Sequence, residues 1–150
     1  LTENLSLAEV TKSATAIRMS IANTPSATHL IALKEVSKNI FQPCREHFGK
    51  PLAVTSGYRS EALNEAINGS KTSQHSKGEA LDLDADVFGG FSNAELFNYI
   101  KDHLDFDQLI WEFGNNNNPA WVHCSYKTRG NRNEVLIAIK TNNQTTYRKL

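Results

Sequence analysis

Apolar positions recur at helical spacing in the first third of the chain and at strand spacing through much of the rest. Residues 5–22 read as an opening helix, with Ser6 as N-cap and Glu9 at the capping-box spacing. A polar break at Asn23-Thr24-Pro25-Ser26 ends it. Leu30, Leu33, Ile40, Phe41 and Phe48 predict a longer helix over 27–48, kinked or split at Pro43 and stopped by Gly49 and Pro51. Leu52 to Ser56 is a short β-like run, Gly57-Tyr58-Arg59-Ser60 turns out of it, and a short helix over 61–67 follows. Residues 68–78 are polar and contain glycine, so they predict a loop.

From Ala80 to Val87 the alternation is strong. Ala80, Asp82, Asp84 and Asp86 share one parity, and Leu81, Leu83 and Val87 share the other, which predicts a strand with one acidic face. Residues 93–103 read as a helix capped by Ser92 or Asn93. Phe106–Phe113 and Trp121–Tyr126 form the arms of a hairpin around Gly114–Pro119, and 134–140 is one more strand. The Thr/Asn-rich tail after about residue 141 is expected to fray. Helices first and strands later predict an α+β fold, N-terminal helices packed on a small antiparallel sheet, in a single domain over 1–150.

Composition narrows the function classes. Sixteen basic residues balance sixteen acidic ones, so no net field draws the chain to nucleic acid or an anionic membrane. The cations are scattered, apart from a weak cluster at Lys127, Arg129 and Arg132. No run approaches the roughly 18 apolar residues of a spanning helix. The opening LTENLSLAEV has no basic segment before an apolar run, so it does not read as a signal peptide; it also lacks an initiator Met. Cys44 and Cys124 lie far apart and outside any CxxC pattern, which predicts two buried free thiols. If its segment is a strand, Cys124 faces away from its neighbour His123.

The richest stretch is Ser73-Gln74-His75-Ser76-Lys77-Gly78-Glu79-Ala80-Leu81-Asp82. It puts a histidine at the end of a loop and an aspartate on the acidic face of a strand, while His123 sits on another, apolar strand. Two imidazoles and a carboxylate are a usual catalytic zinc set with one position left for water. Gly78 suits the tight turn between the first two, and an acidic strand face needs a cation.

The pattern SxHxxGxAxD, preceded by Ser56-Gly57-Tyr58-Arg59-Ser60 and followed by Trp121-Val122-His123-Cys124-Ser125, resembles the M15 metallopeptidases. That family includes D-alanyl-D-alanine carboxypeptidases and phage endolysins and shares its fold with the hedgehog signalling domain. The resemblance runs from LSLAEVTKSATA to about residue 140. It implies His75, Asp82 and His123 as ligands of one zinc ion, Arg59 as a substrate-binding residue whose guanidinium suits a peptide carboxylate, and Ser73 and Gln74 as polar contacts beside the first ligand.

One position departs from that pattern. Many members carry a general base three residues before the final histidine, and here that residue is Ala120. The substitute is Glu112, which a nearly symmetric hairpin would place directly across from His123. A slip of one residue would turn it away. Asp84 is a candidate to orient a ligand histidine, Asp107 reads as a strand-edge residue, and Tyr58 and Tyr126 are weak candidates for donors to a tetrahedral intermediate. His29, His47 and His103 read as solvated, and Trp111 and Trp121 as core or cleft wall. The resulting expectation is a zinc peptidase, acting as a monomer on peptidoglycan peptides at the bacterial cell wall, made in the cytoplasm and similar to a phage or prophage lysis enzyme. The competing expectations are a non-catalytic zinc-binding module on the same scaffold and a small-peptide dipeptidase.

Overall fold

A computed structural model describes residues 1–150. The helices are α1 (Leu7–Thr11), α2 (Ala14–Arg18), α3 (Ala27–Val36), α4 (Gln42–Phe48), α5 (Glu61–Ala66) and α6 (Asn93–His103). The strands are β1 (Ala53–Ser56), β2 (Ala80–Asp84), β3 (Gln108–Glu112), β4 (Trp121–Ser125), β5 (Glu134–Thr141) and β6 (Gln144–Lys149). They form one six-stranded sheet in the order β1-β2-β4-β3-β5-β6. Every neighbouring pair is antiparallel except β3 with β5, so the α+β expectation holds with one parallel pair inside a mostly antiparallel sheet.

The opening helix is two helices. Ser6 and Glu9 make the expected capping box, but the chain breaks at Lys12–Ser13, and Ser13 caps α2 by accepting from the Ala16 N–H. The carbonyls that a continuous helix would use go elsewhere. Val10 O accepts from Tyr58 N at 2.6 Å, and Thr11 O accepts from Asn23 Nδ2 at 2.8 Å. Tertiary bonds thus replace the helical ladder at that point.

The segment 27–48 stays helical throughout, with a wide π turn at Ser37–Phe41 that ends two residues before Pro43. Proline supplies no N–H and its ring crowds the carbonyl four residues back, and a widened turn relieves both. Ser37, fully buried, donates its hydroxyl to Leu33 O at 2.6 Å, so the bulge buries no unpaired hydroxyl. Gly49 ends α4 in the left-handed region, as its place after the helix predicted.

The tail is a correction. Residues expected to fray pair instead with most of β5, from Leu136 opposite Lys149 to Thr141 opposite Gln144. Asn142 and Asn143 turn the chain with positive φ, a conformation asparagine tolerates, and polar residues followed by a Tyr suit an exposed edge strand.

The two faces of the sheet differ. Leu81, Leu83, Leu109, Val122 and Cys124 have no exposure and pack with Leu33, Val36, Ile40, Leu96, Phe97 and Ile100 of the helices in one apolar core. Each such side chain contributes roughly 1.5–3 kcal/mol by leaving water. Both cysteines are free and buried in this core, as their spacing predicted. The alternate residues of β2, β4 and β3 face an open cleft on the other side of the sheet.

Candidate metal centre

Cross-strand register brings the site residues together. Asp82 on β2 pairs with His123 on β4, so their side chains share the cleft face, while Leu81 and Cys124 pair on the core face. His75 comes from a short 3-10 turn, Gln74–Lys77, whose N-cap Ser73 accepts from the His75 N–H. Gly78 ends that turn at φ +73°, and a Cβ there would collide with the His29 carbonyl. The tight turn expected between the ligands is therefore present, its left-handed backbone is what the structure adds, and only glycine fits it.

His75 Nε2 lies 3.3 Å and His123 Nδ1 3.0 Å from the same atom, Asp82 Oδ1. The two rings meet edge to face with centroids 5.1 Å apart. One ligand atom from each of the three residues lies within 4.8 Å of the others, so the triad can hold one metal ion. The tautomer of His75 follows from its other nitrogen. Nδ1 is 2.7 Å from Gly57 O, a carbonyl that can only accept, so Nδ1 carries the proton and Nε2 keeps a lone pair for the metal. Gly57 is itself held close to α1, where any Cβ would strike the Val10 carbonyl.

Burial opposes ionisation of Asp82, but the facing imidazoles, His75 foremost, more than offset it and hold its carboxyl well below the usual range. An anionic carboxylate between two imidazoles is a donor set that fits a divalent cation.

Arg59 follows on the turn after Gly57. Its N–H donates to His75 O at 3.1 Å, and Asn23 pins the turn by donating to Tyr58 O and accepting from Ser60 N. The Arg59 guanidinium lines the same cleft as the triad, and its Nε–H finds no partner within the chain. Ser73 and Gln74 line that cleft too, and Gln74 Nε2 donates to Asp107 Oδ2 at 3.1 Å.

Glu112 also lines the cleft, but not by the pairing expected. It faces Trp121, while His123 faces Ile110, a slip of two residues from the symmetric hairpin. Phe113 and Gly114 both take positive φ, and Ala120 N donates back to Glu112 O at 2.9 Å, closing the loop earlier on the β3 side. Because the slip is even, strand parity is preserved and Glu112 stays on the ligand face, diagonal to His123. Burial raises its carboxyl to about 7, with His123 opposing and Asp82 adding to the shift. Ala120 is exposed and offers no base.

Other expectations fare differently. Asp84 does not orient a histidine. It accepts from Asn93 Nδ2 and from Asp86 N, anchoring the turn that leads into α6. Asp107 is not an edge residue but fully buried, held by Arg132 through the backbone N–H, Nε and Nη2, the last at 2.7 Å. Tyr58 is buried with its hydroxyl 3.1 Å from His29 Nδ1, so it is not in the cleft and His29 is not simply solvated. Tyr126 packs against the core. His47 stacks on Tyr99 with centroids 4.0 Å apart. Trp111 packs on the core against Phe97, whereas Trp121 walls the cleft. Tyr147 also reaches the cleft. It was missed because its strand was read as a tail, and the alternation Thr145, Tyr147, Lys149 was the available signal.

No helix is long and apolar enough to cross a membrane. No curated protein matches the chain. A family model, described as Peptidase M15, matches residues 3–125, which take in Arg59, the three converging ligands and Glu112. With that match extending over most of its length, the chain belongs to the M15 peptidase family.

Proposed function

We propose that the protein is a zinc-dependent peptidase that hydrolyses an amide bond in bacterial cell-wall peptides. The observation that carries this reading is the convergence of His75 Nε2 and His123 Nδ1 on one Asp82 oxygen, in a cleft that also holds Glu112 and Arg59. A zinc ion bound there would polarise a carbonyl and acidify a water molecule.

The chain's own residues supply the rest. Glu112, whose carboxyl is poised at about 7, takes a proton from water and returns it to the leaving amine. A base is most useful when its pKa lies near the working pH, and burial beside the site provides that here. Arg59 receives a peptide carboxylate through its planar fork, and Asn23 fixes the turn that aims it. Gly57 O holds His75 so that the ligand nitrogen faces Asp82. His75 and His123 are both buried, which limits competing solvent at the ligands.

The test is digestion of purified peptidoglycan with fragment masses read by mass spectrometry. New amino termini should appear, vanish on chelation and return with zinc. Glu112→Gln should abolish release while one zinc ion remains bound. Activity that survives chelation would sink the proposal. Zinc binding with no cleavage of any wall peptide would favour a recognition module on this scaffold instead.

A further inference from the structure

The cleft extends well beyond the triad, with a volume of about 860 Å³. Its floor follows the sheet. Asp82, His123, Ile110 and Leu136 form one cross-strand row, and Trp121, Glu112, Ala138 and Tyr147 form the next. Ala138 is buried and small, so nothing tall stands between Glu112 and Tyr147. At the other end of that row Phe113 meets Trp121 with ring centroids 5.4 Å apart. Tyr147 is 57% exposed, an aromatic residue left largely in water above a polar cleft. Tyr147 lines the same cleft as Glu112 and Asp82, and its hydroxyl pKa is raised, by burial first and then by those two carboxylates.

Arg59 and Tyr147 sit on opposite sides of the metal ligands. Arg59 follows β1 at one edge of the sheet, and Tyr147 lies on β6 at the other. Three strand spacings separate His123 from Tyr147, about 14 Å between backbones. An extended peptide covers that span in about four residues.

Resting on the peptidase reading, we infer that the Tyr147 ring forms the wall of a subsite for an uncharged aliphatic residue several positions upstream of the bond cut. The substrate's carboxylate end then lies at Arg59 and its chain crosses the sheet toward β6. A ring flanking an aliphatic side chain removes apolar surface from water without demanding a fixed hydrogen bond. The substrate class is a peptide of four or five residues, because a dipeptide held at Arg59 would end before reaching Tyr147. The β5–β6 hairpin that carries Tyr147 lies outside the residues matched by the family model.

The test uses the zinc-loaded Glu112→Gln protein, which should leave peptide intact, and titrates it calorimetrically with a wall-stem pentapeptide and with D-Ala-D-Ala. Adding Tyr147→Ala should weaken pentapeptide binding about tenfold, as expected for truncating an interface aromatic. Dipeptide binding should stay unchanged, and Tyr147→Phe should bind the pentapeptide like the parent. Equal losses for both peptides would mark a structural role and overturn the inference, as would a pentapeptide affinity that Tyr147→Ala leaves untouched. A Tyr147→Phe loss as large as that of alanine would overturn the ring's role. A parent that binds neither peptide would overturn the peptidase reading and this inference with it, whereas a parent that binds both equally tightly overturns this inference alone.

Discussion

Replacing Glu112 by glutamine should stabilise the metal-free protein at pH 8 and leave it nearly unchanged at pH 4. The carboxyl moves from an ordinary 4.5 to about 7 because folding buries it to 7% exposure, with Asp82 adding to the shift and His123 opposing it. Between those two values the folded chain holds a proton that the unfolded chain has released. Stability linked to this group is therefore fully present below about 4.5 and is lost as pH rises through about 7. The displacement corresponds to about 3 kcal/mol. Glutamine has nearly the same shape and does not titrate, so it keeps the stability of the protonated acid at every pH. The assay is urea unfolding of both proteins with chelator present, at steps from pH 4.5 to 8. The difference in unfolding free energy should open from near zero to a few kcal/mol, most of it between pH 5 and 7.5. Zinc should shrink it, because a nearby cation favours the carboxylate. A difference that stays constant across that range would refute the argument that burial governs Glu112.

Alanine at His75, Asp82 or His123 should abolish one-to-one zinc binding by calorimetry and remove the rise in melting temperature that zinc produces in the parent. Arg59→Ala should raise KM for peptides with a free carboxylate at least tenfold, about 1.4 kcal/mol, with zinc content unchanged. Asp107→Asn should cost about 2 kcal/mol in urea unfolding, since it weakens three hydrogen bonds from Arg132, itself half exposed, and one from Gln74. Leu81→Ala, a cavity at a fully buried core position, should cost about 2–5 kcal/mol by the same measure.

Much of the site was legible because strand parity is a local property. The alternation of Asp82 with Leu81 and Leu83, and of His123 with Val122 and Cys124, assigned faces correctly before any pairing was known. Loop closure was not legible. The Asn-rich turn consumes its residues unevenly, so Glu112 came opposite Trp121 instead of His123, and only the evenness of the slip kept it on the cleft face. Helix continuity failed at Lys12–Ser13 for a nonlocal reason, since Val10 O bonds to Tyr58, a residue distant in sequence. Asp107 was misjudged similarly: its partner Arg132 approaches from a loop whose path no periodicity reveals. The last strand was missed because Thr and Asn in a row look like solvent-exposed tail, and what orders them is an existing edge at β5.

Each ligand strand carries its ligand between two fully buried apolar neighbours, Leu81 and Leu83 around Asp82, and Val122 and Cys124 around His123. Metal geometry and hydrophobic packing are thus two readouts of a single backbone path. A substitution that shifts either strand to refill the interior must swing a coordinating atom by a comparable amount on the reverse side. Affinity for the ion can therefore drift under selection for stability alone, and adaptation of the cleft is freest in the loops and in β6, whose residues are all exposed and carry no such tether.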